Sequence, residues 1–207
     1  MKIAIGAIFR DEYEYIIEWL AWHQIAGFDS FYIADNASTD GTRALLEALA
    51  DLKYIHLLYQ PVLEKQVQIL AYKRIMQQAI TNVDAVLFID ADEFITHESM
   101  NNGDEAKLLK QLLSQKNVGM IGINWRTFGS SGHEFYNDKP VVERFTECSG
   151  GLESSTNSFL KSATRISLSQ YTGPHKSDVW PEFSRINTQG EKSLILLPLM
   201  KKDCLSR

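Results

Sequence analysis

The sequence has few cysteines, no long apolar run and no excess of basic residues. Its two cysteines, Cys148 and Cys204, are too few for a disulfide framework and indicate a reducing compartment. No apolar run approaches the roughly 18 residues that a transmembrane helix needs. The 21 Lys and Arg residues against 26 Asp and Glu residues give a net charge of −5. This balance argues against bulk nucleic-acid binding and against a polybasic membrane-surface protein.

The amino terminus also lacks the features of a signal peptide. Met1–Phe9 holds one lysine and a short apolar stretch, and no small-residue cleavage site precedes Arg10. The segment is therefore predicted to be a first strand. With 207 residues, 44% hydrophobic and 23% charged, the composition is that of a soluble globular protein. Because no repeat, low-complexity tract or linker divides the chain, we expect a single domain. The low cysteine content and the lack of signal-peptide features indicate a cytoplasmic location.

The first 90 residues alternate short apolar runs with helical stripes. The predicted strands and helices, in chain order, are Ile3–Phe9, a helix through Tyr13–Leu20, Phe31–Ala34, a helix over Thr42–Ala50, Tyr54–Tyr59, a helix through Tyr72–Ile80, and Ala85–Ile89. Gly27 is placed to end the first helix, and Thr39 or Asp40 to cap the second. This alternation predicts an α/β fold with a mostly parallel central sheet flanked by helices.

The pattern is looser after Thr96. The remaining predicted segments are a helix through Leu108–Leu113, a strand over Val118–Trp125, strand-like pieces at Val141–Phe145 and Ser158–Ala163, and a buried piece at Leu194–Leu197. The last of these is assigned no function. A regular nucleotide-type half followed by a more irregular substrate half is the expected organisation.

Polar clusters follow three of the predicted strands. They are Arg10–Glu12, Asp35–Asn36 and Asp90–Glu93. Ligands of parallel α/β sheets bind beyond the carboxyl ends of the strands. The functional site is therefore predicted at this edge of the sheet.

Asp90 and Asp92 are the sharpest chemical feature of the sequence. Residues i and i+2 of an extended segment point to the same side, so both carboxylates can face one point beyond a buried strand. Two like charges there repel each other, and a hard divalent cation such as Mg²⁺ or Mn²⁺ relieves the repulsion. The alternative is a solvated acidic turn or a helix cap.

The segment Asp35–Thr42 is rich in Asp, Asn, Ser and Thr. A turn leading into a capped helix accounts for these residue types without any ligand. In the functional interpretation, Asp35 accepts hydrogen bonds from a nucleotide base or ribose. From these residues alone, the turn is the favoured interpretation.

Asp35–Thr42, followed about fifty residues later by Phe88–Phe94, resembles the start of a family-2-type glycosyltransferase of the GT-A fold. Further segments are similar to the family-92 branch of these enzymes: Glu12, Glu18–His23, Gln68–Tyr72, Asn124–His133 and Glu143–Phe145. Each segment is short, but their order and spacing agree from about Ile3 to His175.

The resemblance implies a nucleoside-diphosphate sugar as donor, with a UDP-sugar favoured, and Mn²⁺ or Mg²⁺ as cofactor. The acceptor is expected to be a glycan or a lipid-linked acceptor, and the transfer is expected to invert the anomeric centre. Residues 1–96 would form the nucleotide-sugar half of one GT-A domain. Residues 97–207 would form a minimal acceptor half, or one completed by a partner, with peripheral membrane contact allowed. No nucleic-acid partner is expected.

The resemblance also assigns roles to individual residues. The expected donor-binding residues are Glu12, Asp35, Gln68, Asp90 and Lys161, and the expected metal ligands are Asp90, Asp92 and His175. The candidates for the catalytic base are Glu143, which matches the family's Glu-Arg-Phe motif, then Glu134, with Asp138 and Glu147 behind them. The expected acceptor-binding residues are Trp125 and His133, beside Phe128 and Tyr136. Cations available to a diphosphate are Lys161, Arg165 and Lys176.

Two other functions fit parts of the sequence. Sugar-phosphate nucleotidyltransferases usually have a glycine-rich phosphate loop after the first strand, and Phe9–Glu12 lacks those glycines. A catalytically silent sugar- or nucleotide-binding module would retain the fold. Metal-dependent hydrolysis of a donor separates such a module from an enzyme.

Overall fold

The computed structural model describes residues 1–61, 66–96, 103–148, 159–174, 177–188, 190 and 199–202, the last of these as backbone only. The helices are α1 (Ile16–Ile25), α2 (Thr42–Asp51), α3 (Val67–Ala79), α4 (Glu105–Leu113) and α5 (Val141–Arg144). The first strands are β1 (Ile3–Phe9), β2 (Phe31–Asp35), β3 (His56–Tyr59), β4 (Ala85–Phe88), β5 (Glu93–Ile95) and β6 (Val118–Phe128). The later strands are β7 (Leu160–Arg165), β8 (Ser169–Thr172), β9 (Ser177–Val179), β10 (Ser184–Ile186) and β11 (Leu199–Lys202).

One large sheet organises the described residues. Its strand order is β3-β2-β1-β4-β7-β6-β11-β5, with β10 also paired to β6. Strands β1 to β4 are mutually parallel, and β6 pairs in parallel with β10 and β11. Strand β7 runs antiparallel to both of its neighbours, β4 and β6. The predicted α/β class with a mostly parallel sheet flanked by helices is confirmed.

The core lies on both faces of this sheet. Strands β2 and β4 are buried along their whole length, as a parallel sheet covered by helices requires. Helices α1, α2 and α4 cover one apolar cluster, and α3 covers a second on the other face. In the part of the chain that the structure describes, no helix is long and apolar enough to cross a membrane.

The helix ends follow local chemistry. Gly27, at φ 87°, follows α1 and donates its N–H to Gln24, so the predicted stop is confirmed. The residue at the start of α2 is Gly41, not Thr39 or Asp40 as predicted. Asp40 nevertheless accepts the N–H of Thr42 at 2.9 Å, which satisfies the first amide of the helix.

The strand-like assignment of Val141–Phe145 is wrong, because Val141–Arg144 forms the short helix α5. Pro140 precedes it, and the carboxylate of Glu18 accepts the N–H groups of Val141 and Val142 at 2.8 and 3.2 Å. This distant cap outweighs the β preference of two valines. Leu194–Leu197 lies outside the described residues.

Three side chains on one face of α1 hold the segment that follows β4. The indole N–H of Trp19 donates to the carbonyl of Asp90 at 3.0 Å, and that of Trp22 donates to Ile95 at 2.7 Å. His23 accepts the N–H of Ile95 on Nε2 at 3.2 Å, so its proton lies on Nδ1 and is donated to the Trp19 carbonyl at 2.7 Å. The end of β4 is therefore fixed by α1.

Complete burial lowers the pKa of His23 to about 3. The folded state therefore favours the neutral imidazole, and His23 contributes its full stabilisation above its unfolded pKa of 6.5. As pH falls below 6.5 towards 3, the free energy of unfolding decreases by up to about 1.4 kcal/mol per pH unit from this group.

We expect His23→Gln, whose amide does not titrate, to lose less stability than the unmodified protein between about pH 8 and pH 5. Urea denaturation at both pH values measures this. Equal losses in the two proteins would contradict the assignment.

Candidate functional site

A cleft of about 420 Å³ opens at the carboxyl edge of the parallel strands, where the polar clusters were predicted to meet. Its lining residues come from the ends of β1, β2 and β4 and from the starts of α1, α3 and α5: Ile8, Phe9, Arg10, Glu12, Tyr15, Asn36, Val67, Gln68, Asp90, Ala91, Asp92 and Val141. Four predicted site residues, Glu12, Gln68, Asp90 and Asp92, thus share one cleft.

Asp90 is bonded through every polar group it has. One carboxylate oxygen accepts from Gln68 Nε2 at 3.0 Å and the other from Lys161 Nζ at 2.8 Å. Its backbone N–H donates to Glu93 Oε2 at 2.8 Å, and its carbonyl accepts from Trp19 at 3.0 Å. Its side chain is still 27% exposed, towards the cleft. Asp90 is therefore a preorganised acceptor at the floor of the cleft.

Lys161 lies behind Asp90 and is fully buried. Its ammonium contacts Asp90 at 2.8 Å and Glu93 at 3.0 Å, and Glu93 is equally buried. Burial alone would lower the pKa of Lys161, but the two carboxylates outweigh it and raise the pKa. Burial raises the pKa of Glu93 to about 7, against the opposing effect of Lys161. The predicted donor residue Lys161 is thus a counter-charge beneath the cleft and not part of its lining.

Asp92 lines the cleft beside Asp90. Within the described ranges, no three His, Cys, Asp or Glu side chains converge to form a metal-binding group. A carboxylate or two combined with substrate phosphates is nevertheless the usual Mg²⁺ site. The donor set therefore fits a metal held by Asp92 together with a diphosphate. The Asp90 carboxylate is bonded to Lys161 and Gln68. The third predicted ligand, His175, lies outside the described residues.

Asp35 is fully buried beside the cleft and does not line it. Arg43 donates to one of its oxygens through two nitrogens, at 2.7 and 2.9 Å, and the N–H of Ser38 donates to the other at 3.2 Å. Its neighbour Asn36 does line the cleft, and the buried Oδ1 of Asn36 has no hydrogen-bond partner among the described residues. A donor group on a ligand would satisfy that oxygen.

The loops after β1 and β2 are bonded to each other along one rim of the cleft. The Asp11 carboxylate accepts the N–H of Thr39 at 2.7 Å. The N–H of Glu12 donates to the hydroxyl of Thr42, the first residue of α2, and the N–H of Tyr13 donates to the carboxylate of Asp40 in the second loop. Much of the polar segment after β2 thus serves the turn, as the structural interpretation predicted. Asp11 has φ 56°, a left-handed conformation that residues other than glycine adopt rarely.

The loop between β6 and α5 carries the candidates Glu134 and His133. Both line a separate open concavity formed by residues 132–138, which is distinct from the cleft. Tyr136 is 69% exposed there, and the Arg144 guanidinium lies 5.3 Å from the centre of its ring. Trp125, also expected at the acceptor site, is buried and packs over the Lys161 ammonium at 5.9 Å.

Glu143 lies on α5, two residues after Val141, which lines the cleft. Its side chain is exposed. The position of α5 is set by Glu18, whose carboxylate binds the first two amides of the helix. Positions i and i+2 of a helix face different directions, so Glu143 does not share the face of Val141 and is not part of the cleft lining.

The cation that lines the cleft is Arg10, which sequence reasoning included only as part of a polar cluster. Arg10 is 56% exposed and lies 3.9 Å from the carboxylate of Asp11. Arg165, expected as a diphosphate partner, pairs with Ala85 at the opposite end of β4, away from the cleft. Lys176 lies outside the described residues. Arg10 directly follows β1 and Asn36 directly follows β2. Their positions at the carboxyl ends of parallel strands could have identified both as cleft residues.

Solved structures with some similarity include those of TarS from S. aureus. The crystal structure of TarS 1–349 is 19% identical, with a TM-score of 0.47 over 66% of this chain and 39% of that one. The crystal structure of TarS 1–349 in complex with UDP has a TM-score of 0.45 over 66% and 38%.

Two curated relatives are similar in sequence. A glycosyltransferase family 92 protein of Ricinus communis is 28% identical over 133 residues, covering 63% of this chain and 23% of the relative. One from Oryza sativa subsp. japonica is 24% identical over 146 residues, covering 70% and 24%. The chain thus spans about a quarter of the length of these relatives.

The sequence model of the family described as "Glycosyltransferase family 92" matches residues 5–189. This range includes every described residue of the cleft. The match covers most of the chain and agrees with the family that its short motifs resemble. The chain belongs to glycosyltransferase family 92.

Proposed function

We propose that this protein is a metal-dependent glycosyltransferase that uses a nucleoside-diphosphate sugar, with a UDP-sugar favoured. The acceptor is a glycan or a lipid-linked molecule, and the transfer inverts the anomeric centre. The observation that carries the proposal is the convergence of Asp90, Asp92 and Arg10 on one cleft at the carboxyl edge of the parallel strands. Membership of the family supports the same activity.

The cleft offers complementary groups to the parts of such a donor. The Asp90 carboxylate, held by Gln68, can accept a hydrogen bond from a ribose hydroxyl. Asn36 can pair with a base or ribose donor, and the adjacent Asp35 is available to a base only if it shares its bonds with Arg43. Arg10 provides positive charge for the diphosphate.

Mn²⁺ or Mg²⁺ would be held by Asp92 together with the donor diphosphate, while Asp90 serves the ribose. When bound, the cation supplies charge neutralisation to the departing nucleoside diphosphate. Arg10 contributes to the same task from the chain itself, since it lines the same cleft as Asp92.

In an inverting transfer, the acceptor oxygen attacks the anomeric carbon as the bond to the diphosphate breaks. The hydroxyl proton must pass to a base of the protein. We assign this role to Glu143, which belongs to the Glu-Arg-Phe segment that resembles the family and lies two residues from the lining residue Val141, and keep Glu134 as the second choice. Tyr136 and His133 lie beside the open concavity, where an acceptor sugar could stack and bond.

We expect the protein to release nucleoside diphosphate from at least one sugar nucleotide when Mn²⁺ or Mg²⁺ is present. A panel of UDP- and GDP-sugars, scored for hydrolysis, measures this activity. Binding of a donor without any metal-dependent release would replace the proposal with a silent binding module.

Asp92→Ala should reduce metal-dependent turnover by roughly a hundredfold or more, because it removes the carboxylate that would hold the cation. Isothermal titration of UDP should show that Mn²⁺ no longer strengthens binding. The matched control is Asp51→Ala, which removes an exposed carboxylate at the end of α2. An unchanged Tm confirms folding, and normal turnover by a folded Asp92→Ala protein would refute the assignment.

Glu143→Gln should retain UDP affinity and lose transfer by roughly a hundredfold or more, because the amide cannot accept the acceptor proton. Glu134→Gln is its matched control, since it makes the same change in the separate concavity. Transfer assays on both variants decide between them. Loss of transfer in Glu134→Gln alone would assign the base to Glu134.

Arg10→Gln should weaken UDP binding roughly fivefold, because it removes a charge-assisted bond whose strength is reduced by solvent at this half-exposed position. Arg165→Gln, at the other end of the sheet, should leave the affinity unchanged. Titration calorimetry at low and high salt measures both. Equal effects of the two substitutions would show that the charge acts at long range and not at the cleft.

A further inference from the structure

We propose that Lys161 is a positioning residue that holds the Asp90 carboxylate in one orientation, and thereby sets how strongly the protein discriminates between nucleotides with and without ribose hydroxyls. This inference rests on the proposed nucleotide-sugar donor. It separates the two aspartates: Asp90 serves as a fixed hydrogen-bond acceptor, and Asp92 is assigned to the metal.

The sheet brings Lys161 to this place. Strand β7 lies between β4 and β6, with Ala163 opposite Leu87 of β4 and Lys161 opposite Ile123 of β6. Strands β4 and β7 are antiparallel, so Lys161, two residues before Ala163, lies opposite the chain just after the end of β4, next to Asp90. This register places the Lys161 ammonium within hydrogen-bond distance of the Asp90 carboxylate, at 2.8 Å.

Its contacts are those of a fixed support. Lys161 Nζ bonds one oxygen of Asp90 at 2.8 Å and Gln68 bonds the other at 3.0 Å, so rotation of the carboxylate breaks a bond on either side. Lys161 is fully buried, whereas the Asp90 side chain is 27% exposed. The lysine thus acts on a ligand only through the aspartate.

Glu93 is a second carboxylate that the Lys161 ammonium must compensate. Its Oε2 accepts both the Asp90 amide at 2.8 Å and the Lys161 ammonium at 3.0 Å. One cation therefore serves two carboxylates, only one of which reaches the cleft. The competing explanation is that Lys161 merely neutralises Glu93 in the core.

A pair of substitutions distinguishes positioning from neutralisation. Lys161→Met alone leaves two uncompensated carboxylates and should lower the Tm by roughly 10 °C. Adding Glu93→Gln restores the charge balance and keeps an acceptor for the Asp90 amide, so the double variant should recover much of the Tm. Glu93→Gln alone retains the bond between Lys161 and Asp90.

The readout is the affinity for UDP compared with 2′-deoxy-UDP and 3′-deoxy-UDP, measured by calorimetry in Mn²⁺. The unmodified protein should bind UDP about tenfold more tightly than at least one deoxy analogue, since a hydroxyl bonded to a carboxylate is lost. Glu93→Gln should retain this ratio. In the double variant, the ratio of the affinities for UDP and the deoxy analogue should fall from about tenfold to about threefold or less, while the protein remains folded.

Arg185→Met is the matched control, because it removes another paired cation, bonded to Asp178 at 3.0 Å, outside the cleft lining. It should leave the UDP ratio unchanged. If the double variant does not fold, Lys161→Gln in the Glu93→Gln background takes its place, since it removes the charge while keeping a polar side chain.

A folded double variant with the full ratio would overturn the positioning role and leave Lys161 as a counter-charge to Glu93. Equal affinity of the unmodified protein for UDP and both analogues would overturn it as well, because Asp90 would then not meet the ribose. If the unmodified protein binds no nucleoside diphosphate, the proposed function itself fails and this inference fails with it.

Discussion

A buried carboxylate next to a partly exposed one requires a cation, and the end of β4 is built around this requirement. Asp90 and Glu93 share the ammonium of Lys161, at 2.8 and 3.0 Å, in a region where Lys161 and Glu93 have no exposure at all. In such surroundings an unpaired charge costs far more than the pair, so all three groups must be placed together. The parallel strands position the carboxylates, and the reversed strand β7 delivers the cation between β4 and β6.

Helix α1 is the second support of the cleft. Its sequence Glu18–His23 reads as part of an amphipathic helix, yet four of its side chains bind backbone elsewhere. Trp19 and Trp22 bond carbonyls at either end of residues 90–95, His23 accepts an amide there, and Glu18 caps α5. One rigid helix therefore sets the position of the Asp90 segment and of the segment that carries Glu143. The side chains that give the helix its family resemblance have structural roles that need no contact with a substrate.

The regular half of the fold could be predicted from sequence because its information is local. Short apolar runs and helical stripes are sufficient for β1 to β4, and both aspartates line the cleft beyond the end of β4. They lie at a turn closed by the Glu93 N–H and the Asp90 carbonyl, and not in the extended segment that the spacing argument assumed. Prediction failed where a partner distant in sequence decides the outcome. Val141–Arg144 is helical because of Glu18, more than a hundred residues earlier, and Lys161 is buried because its partners lie near residue 90. The role of Asp35 towards a base stays a prediction, because its carboxylate already accepts two bonds from Arg43.

The position of β7 has a consequence for modularity. Residues 1–96 supply nearly all of the cleft lining and could be regarded as a separable nucleotide-binding unit. The cation that their carboxylates need is supplied by residue 161, on a strand inserted directly beside β4. Exchange of the first half between related chains would therefore succeed only if the incoming β4 and the resident β7 agree in charge. Compatibility of the two halves therefore depends on the contact between Lys161 and Asp90, and not on the loop at which the chains are joined.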